Sequence, residues 1–165
     1  MGYDYKAHIR HIPDFPKPGI LFADMTPLFA DATAFAALIS DFSERYKGKG
    51  ITHVVGVESR GFILGAPLAL AIGAGFVILR KPGKLPAKTF SRSYKLEYGE
   101  AALHVHCDAL SAKDRVVLID DLIATGGTLE ASIQLLHKVG ADVRGAACII
   151  ELAFLGGRSR LTVPF

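Results

Sequence analysis

The sequence predicts an α/β fold: a mainly parallel sheet flanked by helices, with a mobile loop and β-hairpin over the functional edge. Three observations carry this. Short apolar runs of strand length alternate with stretches whose apolar residues recur at helical spacing. One run, Val116-Val117-Leu118-Ile119, is unbroken and largely β-branched, as a strand covered on both faces requires. Residues 81–108 are polar, carry Pro82, Gly83, Pro86 and Gly99, and fall outside that rhythm. The 165 residues are enough for one domain with its own core, read here as a single domain over 1–165.

The elements follow in order. Residues 1–30 read as irregular, because Pro13, Pro16, Pro18 and Pro27 each fix their own φ and disfavour helix at the residue before. From Phe35 the spacing is helical through Leu38, Ile39, Phe42 and Tyr46, with Asp31 or Thr33 to cap the start and Gly48 to end it. Residues 51–57 predict a buried strand. Glu58-Ser59-Arg60-Gly61 follows as a turn, then a helix over 62–72 that Pro67 should kink or restart. Residues 76–79 predict a second strand. In 81–108 a long loop leads into a hairpin that turns near Gly99, on the alternation of Tyr94-Lys95-Leu96-Glu97-Tyr98. Long loops inside compact domains are commonly lids or binding loops. Residues 116–119 give the third strand. Leu129, Ile133 and Leu136 repeat at helical spacing, His137 and Lys138 sit where the helix dipole favours cations, and Gly140 stops the helix. Residues 143–150 predict the fourth strand.

Composition narrows the function. Nineteen Lys and Arg against sixteen Asp and Glu leave a net charge of +3, too small a surplus for non-specific nucleic-acid binding but compatible with a phosphorylated ligand. Cys107 and Cys148 stand far apart with no CxxC or Cys/His cluster, which argues against zinc and for two reduced thiols in the cytoplasm. The polar start, with Asp4, Lys6, His8 and Arg10, is not a signal peptide. The longest apolar run, 62–79, is interrupted by Gly65, Pro67, Gly73 and Gly75 and does not read as a membrane span.

The richest segment is Val116-Val117-Leu118-Ile119-Asp120-Asp121-Leu122-Ile123-Ala124-Thr125-Gly126-Gly127-Thr128. Four apolar residues deliver two carboxylates to the C-terminal edge of a parallel strand, where α/β sheets bind ligands. The turn that follows offers backbone N–H groups, the hydroxyls of Thr125 and Thr128, and a helix N-terminus, which together form a phosphate cradle. It lacks the Gly-Lys-Ser/Thr of a nucleotide-triphosphate P-loop. Asp120 and Asp121 lie too close to the cradle to bind the phosphate themselves. They suit sugar hydroxyls or a metal-bound ligand.

This string resembles the phosphoribosyl diphosphate (PRPP) motif of the type I phosphoribosyltransferases. Phe15-Pro16-Lys17-Pro18-Gly19-Ile20-Leu21-Phe22, Glu58-Ser59-Arg60-Gly61-Phe62, Arg80-Lys81-Pro82-Gly83-Lys84-Leu85-Pro86 and Tyr94-Lys95-Leu96-Glu97-Tyr98-Gly99 occur in the order found in the adenine-specific branch. The resemblance implies transfer of a phosphoribosyl group from PRPP to adenine, giving AMP and pyrophosphate through an oxocarbenium-like transition state. It implies a 5′-phosphate site at Ala124, Thr125, Gly126, Gly127 and Thr128, with Asp120 and Asp121 on the ribose hydroxyls. It implies a pyrophosphate site at Glu58, Ser59, Arg60 and Gly61, with a non-proline cis peptide between Glu58 and Ser59. Arg80, Lys81 and Lys84 of the loop would join that site, Arg80 reaching across a homodimer. Glu97 would manage the purine proton as general acid, Tyr98 would pack at the closed loop, and Leu21, Phe22 and Ala23 would line the base pocket within segment 1–30. Ala23 stands where most members of the branch carry Arg. Mg²⁺ is implied as cofactor, held mainly by substrate oxygens and water.

Two other readings compete. A sister enzyme using another purine base fits the same segments, with Ala23 as its best support. A PRPP-binding regulator without turnover would need an added DNA-binding module, and the fold consumes nearly the whole chain. A dinucleotide-binding domain is disfavoured because no GxGxxG follows the first strand.

Overall fold

The structure, a computed structural model, describes residues 3–95 and 100–165. The chain divides into two compact units, Met1–Arg45 and Tyr46–Phe165.

In the first unit, a 3₁₀ turn at Tyr5–His8 precedes an antiparallel pair, β1 (Arg10–Pro13) and β2 (Leu21–Asp24), with Arg10 opposite Asp24 and His11 opposite Ala23. The buried Asp24 carboxylate accepts from the Arg10 guanidinium at 2.6 Å and from the Thr26 backbone N–H at 2.9 Å. These bonds fix the end of β2 to the start of α1 (Thr26–Ala30). The irregular segment expected over 1–30 is therefore a strand pair and a short helix. Its prolines are tolerated because Pro13 sits at a strand end and Pro27 in the first turn of α1, where a missing N–H costs little. Helix α2 (Ala32–Tyr46) buries Ala34, Leu38 and Phe42. Of the two expected caps the structure uses Asp31, which accepts from the N–H groups of Thr33 and Ala34 at 2.9 and 3.0 Å.

The second unit is built on a four-stranded sheet. In chain order come β3 (His53–Val57), α3 (Arg60–Ile72), β4 (Gly75–Leu79), the antiparallel hairpin β5 (Thr89–Lys95) and β6 (Glu100–His106), β7 (Arg115–Ile119), the short β8 (Leu122–Ile123), α4 (Gly127–Val139), β9 (Asp142–Ala147) and the short β10 (Ile150–Glu151). The sheet order is β4-β3-β7-β9 and every neighbouring pair is parallel. Val54, Val55, Val116, Val117, Leu118 and Ile119 are fully buried, as strands covered on both faces require. The core on one face gathers Val55, Val57, Leu118, Leu129, Ile133 and Leu136, and the hairpin adds Leu103 and Val105 to it. The hairpin joins the edge of the sheet through a two-way backbone bridge between Arg80 and His104.

This order fixes the functional edge. From β3 the chain crosses over α3 to β4 on one side, and from β7 it crosses over α4 to β9 on the other. The C-terminal ends of β3 and β7 are adjacent, and their crossovers diverge there. Such a switch point opens a crevice in an open parallel sheet.

Two expectations are corrected. The fourth strand ends at Ala147 rather than running to 150, because the N–H groups of Ile149 and Ile150 both turn to the Asp121 carbonyl at 3.1 Å. The chain then forms β10 beside β8. The helix expected over 62–72 begins at Arg60 and continues through Pro67 without a restart. The carbonyl that Pro67 leaves without a partner belongs to Ile63, an exposed residue, so water can serve it. The turn of the hairpin near Gly99 lies outside the described residues.

Candidate active site

The crevice between β3 and β7 is a cleft of about 900 Å³. It brings together Glu58, Ser59, Arg60, Lys81, Asp120, Asp121 and all five residues Ala124 to Thr128.

The Glu58–Ser59 peptide is cis, as the resemblance implied. Helix α3 then begins at Arg60, pressed onto the end of β7. A Cβ on Gly61 would stand 2.7 Å from the Ile119 carbonyl oxygen, so only glycine allows this approach. Arg60 is thereby brought to Asp121, and its Nε pairs with the Asp121 carboxylate. The carboxylate that the resemblance assigns to ribose and the guanidinium that it assigns to pyrophosphate thus neutralise one another. Gly61 itself lies beneath the cleft and does not line it.

Asp120 and Asp121 are both buried, at 7% and 6% exposure. The Asp120 carboxylate accepts the Asp121 N–H at 2.9 Å. Burial, and then the neighbouring Asp121 charge, push the Asp120 carboxyl up from 3.8 to about 8. Asp120 thus sits beside the Arg60–Asp121 ion pair as the carboxyl whose ionisation the site opposes.

The expected phosphate cradle, Ala124 to Thr128, rests on a backbone interlock. Gly126 has φ +82° and caps α4 without a side chain, so the first-turn N–H groups of the helix are left for a ligand. Gly157, at the start of a 3₁₀ turn over Gly157–Arg160, lies directly against the cradle. A Cβ on Gly126 would stand 2.3 Å from the Gly157 carbonyl oxygen, and one on Gly157 would stand 2.2 Å from the Ala124 carbonyl oxygen. Arg160 clamps the same turn to Glu130, in the first turn of α4, at 2.5 Å. Sequence reasoning missed Gly157. Its signal was the Gly156-Gly157 pair in an otherwise ordinary C-terminal stretch.

The loop residues divide. Glu58 accepts the Lys81 N–H at 2.8 Å and the Arg80 Nε at 3.2 Å. Burial alone would raise the Glu58 carboxyl, but the Lys81 N–H and the Arg80 guanidinium outweigh it and hold the group below its ordinary range. Lys81 lines the cleft. Arg80 and Lys84 do not, and the Arg80 guanidinium leans on Glu58 of its own chain. Leu21, Phe22 and Ala23 form β2 of the first unit. Leu21 is 62% exposed, and Phe22 meets Phe15 edge-on with ring centroids 5.1 Å apart. Glu97 and Tyr98 lie outside the described residues. Among the described residues no group of three or more His, Cys, Asp or Glu could hold a metal ion. Among the described residues no helix is long and apolar enough to cross a membrane.

Known proteins share this sequence and fold. The phosphoribosyl transferase domain family matches residues 26–160. The adenine phosphoribosyltransferase of Pectobacterium carotovorum is 57% identical over 157 residues, covering 95% of this chain and 85% of the relative. That of Shewanella oneidensis is 54% identical over 95% of this chain and 86% of the relative. The chain belongs to the adenine phosphoribosyltransferase family. Solved structures agree. The adenine phosphoribosyltransferase of Rhodothermus marinus superimposes with a TM-score of 0.92 at 49% identity, over 97% of this chain and 92% of its own. The Saccharomyces cerevisiae enzyme, complexed with an imino-altritol bisphosphate and adenine, gives 0.93 at 39% identity, over 98% and 94%. The Trypanosoma brucei enzyme, in complex with AMP, pyrophosphate and ribose-5-phosphate, gives 0.90 at 31% identity, over 98% and 75%.

Proposed function

We propose that this chain transfers the phosphoribosyl group of PRPP to adenine, releasing pyrophosphate and forming AMP. One observation carries the proposal: the Asp120–Asp121 pair, the side-chain-free cap of α4, and Arg60 with Lys81 face a single cleft at the switch point of the sheet. Each serves one part of the substrate. The N–H groups of the first turn of α4 and the hydroxyls of Thr125 and Thr128 receive the 5′-phosphate. Asp120 and Asp121 accept from the ribose hydroxyls, and the charge of Asp121 favours the cation that develops on the ring. Arg60 turns from Asp121 to the diphosphate, joined by the Ser59 backbone and by Lys81. The bond from the anomeric carbon to the diphosphate oxygen breaks and its electron pair leaves with pyrophosphate. The purine nitrogen bonds to the anomeric carbon, and one proton leaves the base.

Mg²⁺ arriving with PRPP would supply charge neutralisation to the leaving group, beside Arg60 and Lys81. The donor set of the cleft fits that role, because the carboxyl oxygens of Asp120 and Asp121 line the same cleft as Ser59, Arg60 and Lys81. A homodimer and a cytoplasmic location belong to the same reading. Two cysteines without a disulfide support the compartment. Arg80, which begins the loop, is the residue that would reach a second subunit.

Glu97 is assigned the purine proton by its Leu-Glu-Tyr-Gly setting. Glu97→Gln keeps the shape and removes the titration. Turnover is expected to fall on the order of 100-fold or more, with the PRPP dissociation constant unchanged in a calorimetric titration. Wild-type turnover would remove Glu97 from the chemistry.

A further inference from the structure

Tyr94 has a hydroxyl in the cleft and no part in the roles given above. It lies on β5, which runs against α4 in the opposite direction and meets it at two places. Near the C-terminal end of α4, Lys138 donates to the Ser91 carbonyl at 3.4 Å and stands 5.9 Å from the centre of the Phe90 ring. At the N-terminal end, Thr128 Oγ1 donates to the Tyr94 hydroxyl at 3.5 Å, a direction that two hydroxyls can exchange, and both residues line the cleft. The Tyr94 ring is half-buried and packs against the core that α4 shares with the sheet, so its hydroxyl is held beside the first turn of the helix rather than swinging free.

Thr128 has a single hydroxyl proton. If that proton goes to a phosphate oxygen, the lone pairs of Oγ1 are left to accept. A phenol is a better donor than water and is already fixed at this point. We propose that Tyr94 is a positioning residue for PRPP binding: its O–H donates to Thr128 Oγ1 and turns the Thr128 proton toward the 5′-phosphate. Successive hydroxyls polarise one another, so the outer bond strengthens the inner one. The present separation exceeds the roughly 2.8 Å of a full hydroxyl–hydroxyl bond, and bonds of this kind in ligand-free sites shorten when the ligand arrives. This inference rests on the reading of Ala124 to Thr128 as the phosphate cradle.

A double-mutant cycle tests it. PRPP dissociation constants are measured by calorimetry, with Mg²⁺, for the wild type, Tyr94→Phe, Thr128→Val and the double variant. Tyr94→Phe keeps the ring and its packing, and thermal melts check that the fold is intact. It is expected to weaken PRPP binding about fivefold, the scale of one lost hydrogen bond. In the Thr128→Val background the same change is expected to have almost no effect, because the acceptor is gone. In Thr128→Ser, which restores a hydroxyl, the Tyr94→Phe loss is expected to return. Equal losses in all three backgrounds would overturn the proposal, as would wild-type binding by Tyr94→Phe while Thr128→Val binds weakly. Wild-type binding by Thr128→Val would overturn the cradle reading and this proposal with it.

Discussion

Asp120→Asn is expected to weaken PRPP binding about 2- to 10-fold, the scale of losing one hydrogen bond to a neutral carboxyl. In the same variant the ligand-free protein is expected to melt at a higher temperature than the wild type at pH 9. The melting effect comes from burial of an ionisable carboxyl. The Asp120 carboxyl is buried beside Asp121, which raises it from 3.8 to about 8 in the folded chain. Between those values the folded protein keeps a proton that the unfolded chain has released. Raising the pH through this window therefore favours unfolding, and above pH 8 the whole cost of a second buried charge is present. Asparagine has nearly the same shape, still accepts the Asp121 N–H through its amide oxygen, and never ionises. The difference in melting temperature between variant and wild type should be near zero at pH 4, grow through the window and level off above pH 8. A difference that is flat across the range would contradict the raised carboxyl. Unaltered PRPP affinity would discard the ribose assignment. A site that keeps a stability cost for the sake of its ligand is the expected trade-off between stability and activity.

Gly157→Ala is expected to weaken PRPP binding at least tenfold, with a loss of stability of about 1–3 kcal/mol from overpacking. The added methyl would stand 2.2 Å from the Ala124 carbonyl oxygen and 2.7 Å from the Gly126 nitrogen. Both are backbone atoms that cannot rotate away, so the cradle itself must move. Gly156→Ala is the control. Gly156 has φ +64° and open space around its would-be Cβ. Its substitution costs about 1–2 kcal/mol of backbone strain and should leave PRPP affinity within about twofold of the wild type. Circular dichroism and a PRPP titration separate the two outcomes. Wild-type affinity in a folded Gly157→Ala protein would show that the C-terminal turn does not hold the cradle.

Local pattern made much of this legible. Val116 to Ile119 announced a strand buried on both faces, and the adjacent carboxylates at its end marked the edge on which the cleft opens. The hairpin strands followed from alternation around Tyr94, and the stop at Gly140 followed from its place after a cationic turn. What escaped depends on contacts between distant segments. Nothing near Gly157 in sequence says that it meets Ala124 and Gly126. The pairing of Arg60 with Asp121 follows only once β3 and β7 are neighbours and Gly61 lets α3 press onto β7. The fourth strand stopped early because Asp121 offers its carbonyl to Ile149 and Ile150, which an apolar run cannot reveal. In the first unit, Pro13, Pro16 and Pro18 hid a strand pair whose register rests on Arg10 and Asp24. The ion pair of Arg80 with Glu58 likewise joins residues 22 apart in sequence, across the end of β3 and the start of the loop.

A base panel tests the transfer most directly. The purified protein is incubated with PRPP and Mg²⁺ and, separately, with adenine, hypoxanthine, guanine, xanthine and orotate, and the nucleotides are resolved by chromatography. AMP from adenine, with no nucleotide from the other bases, is the predicted result. A nucleotide from another base in place of AMP, or no product while PRPP is bound, would contradict it.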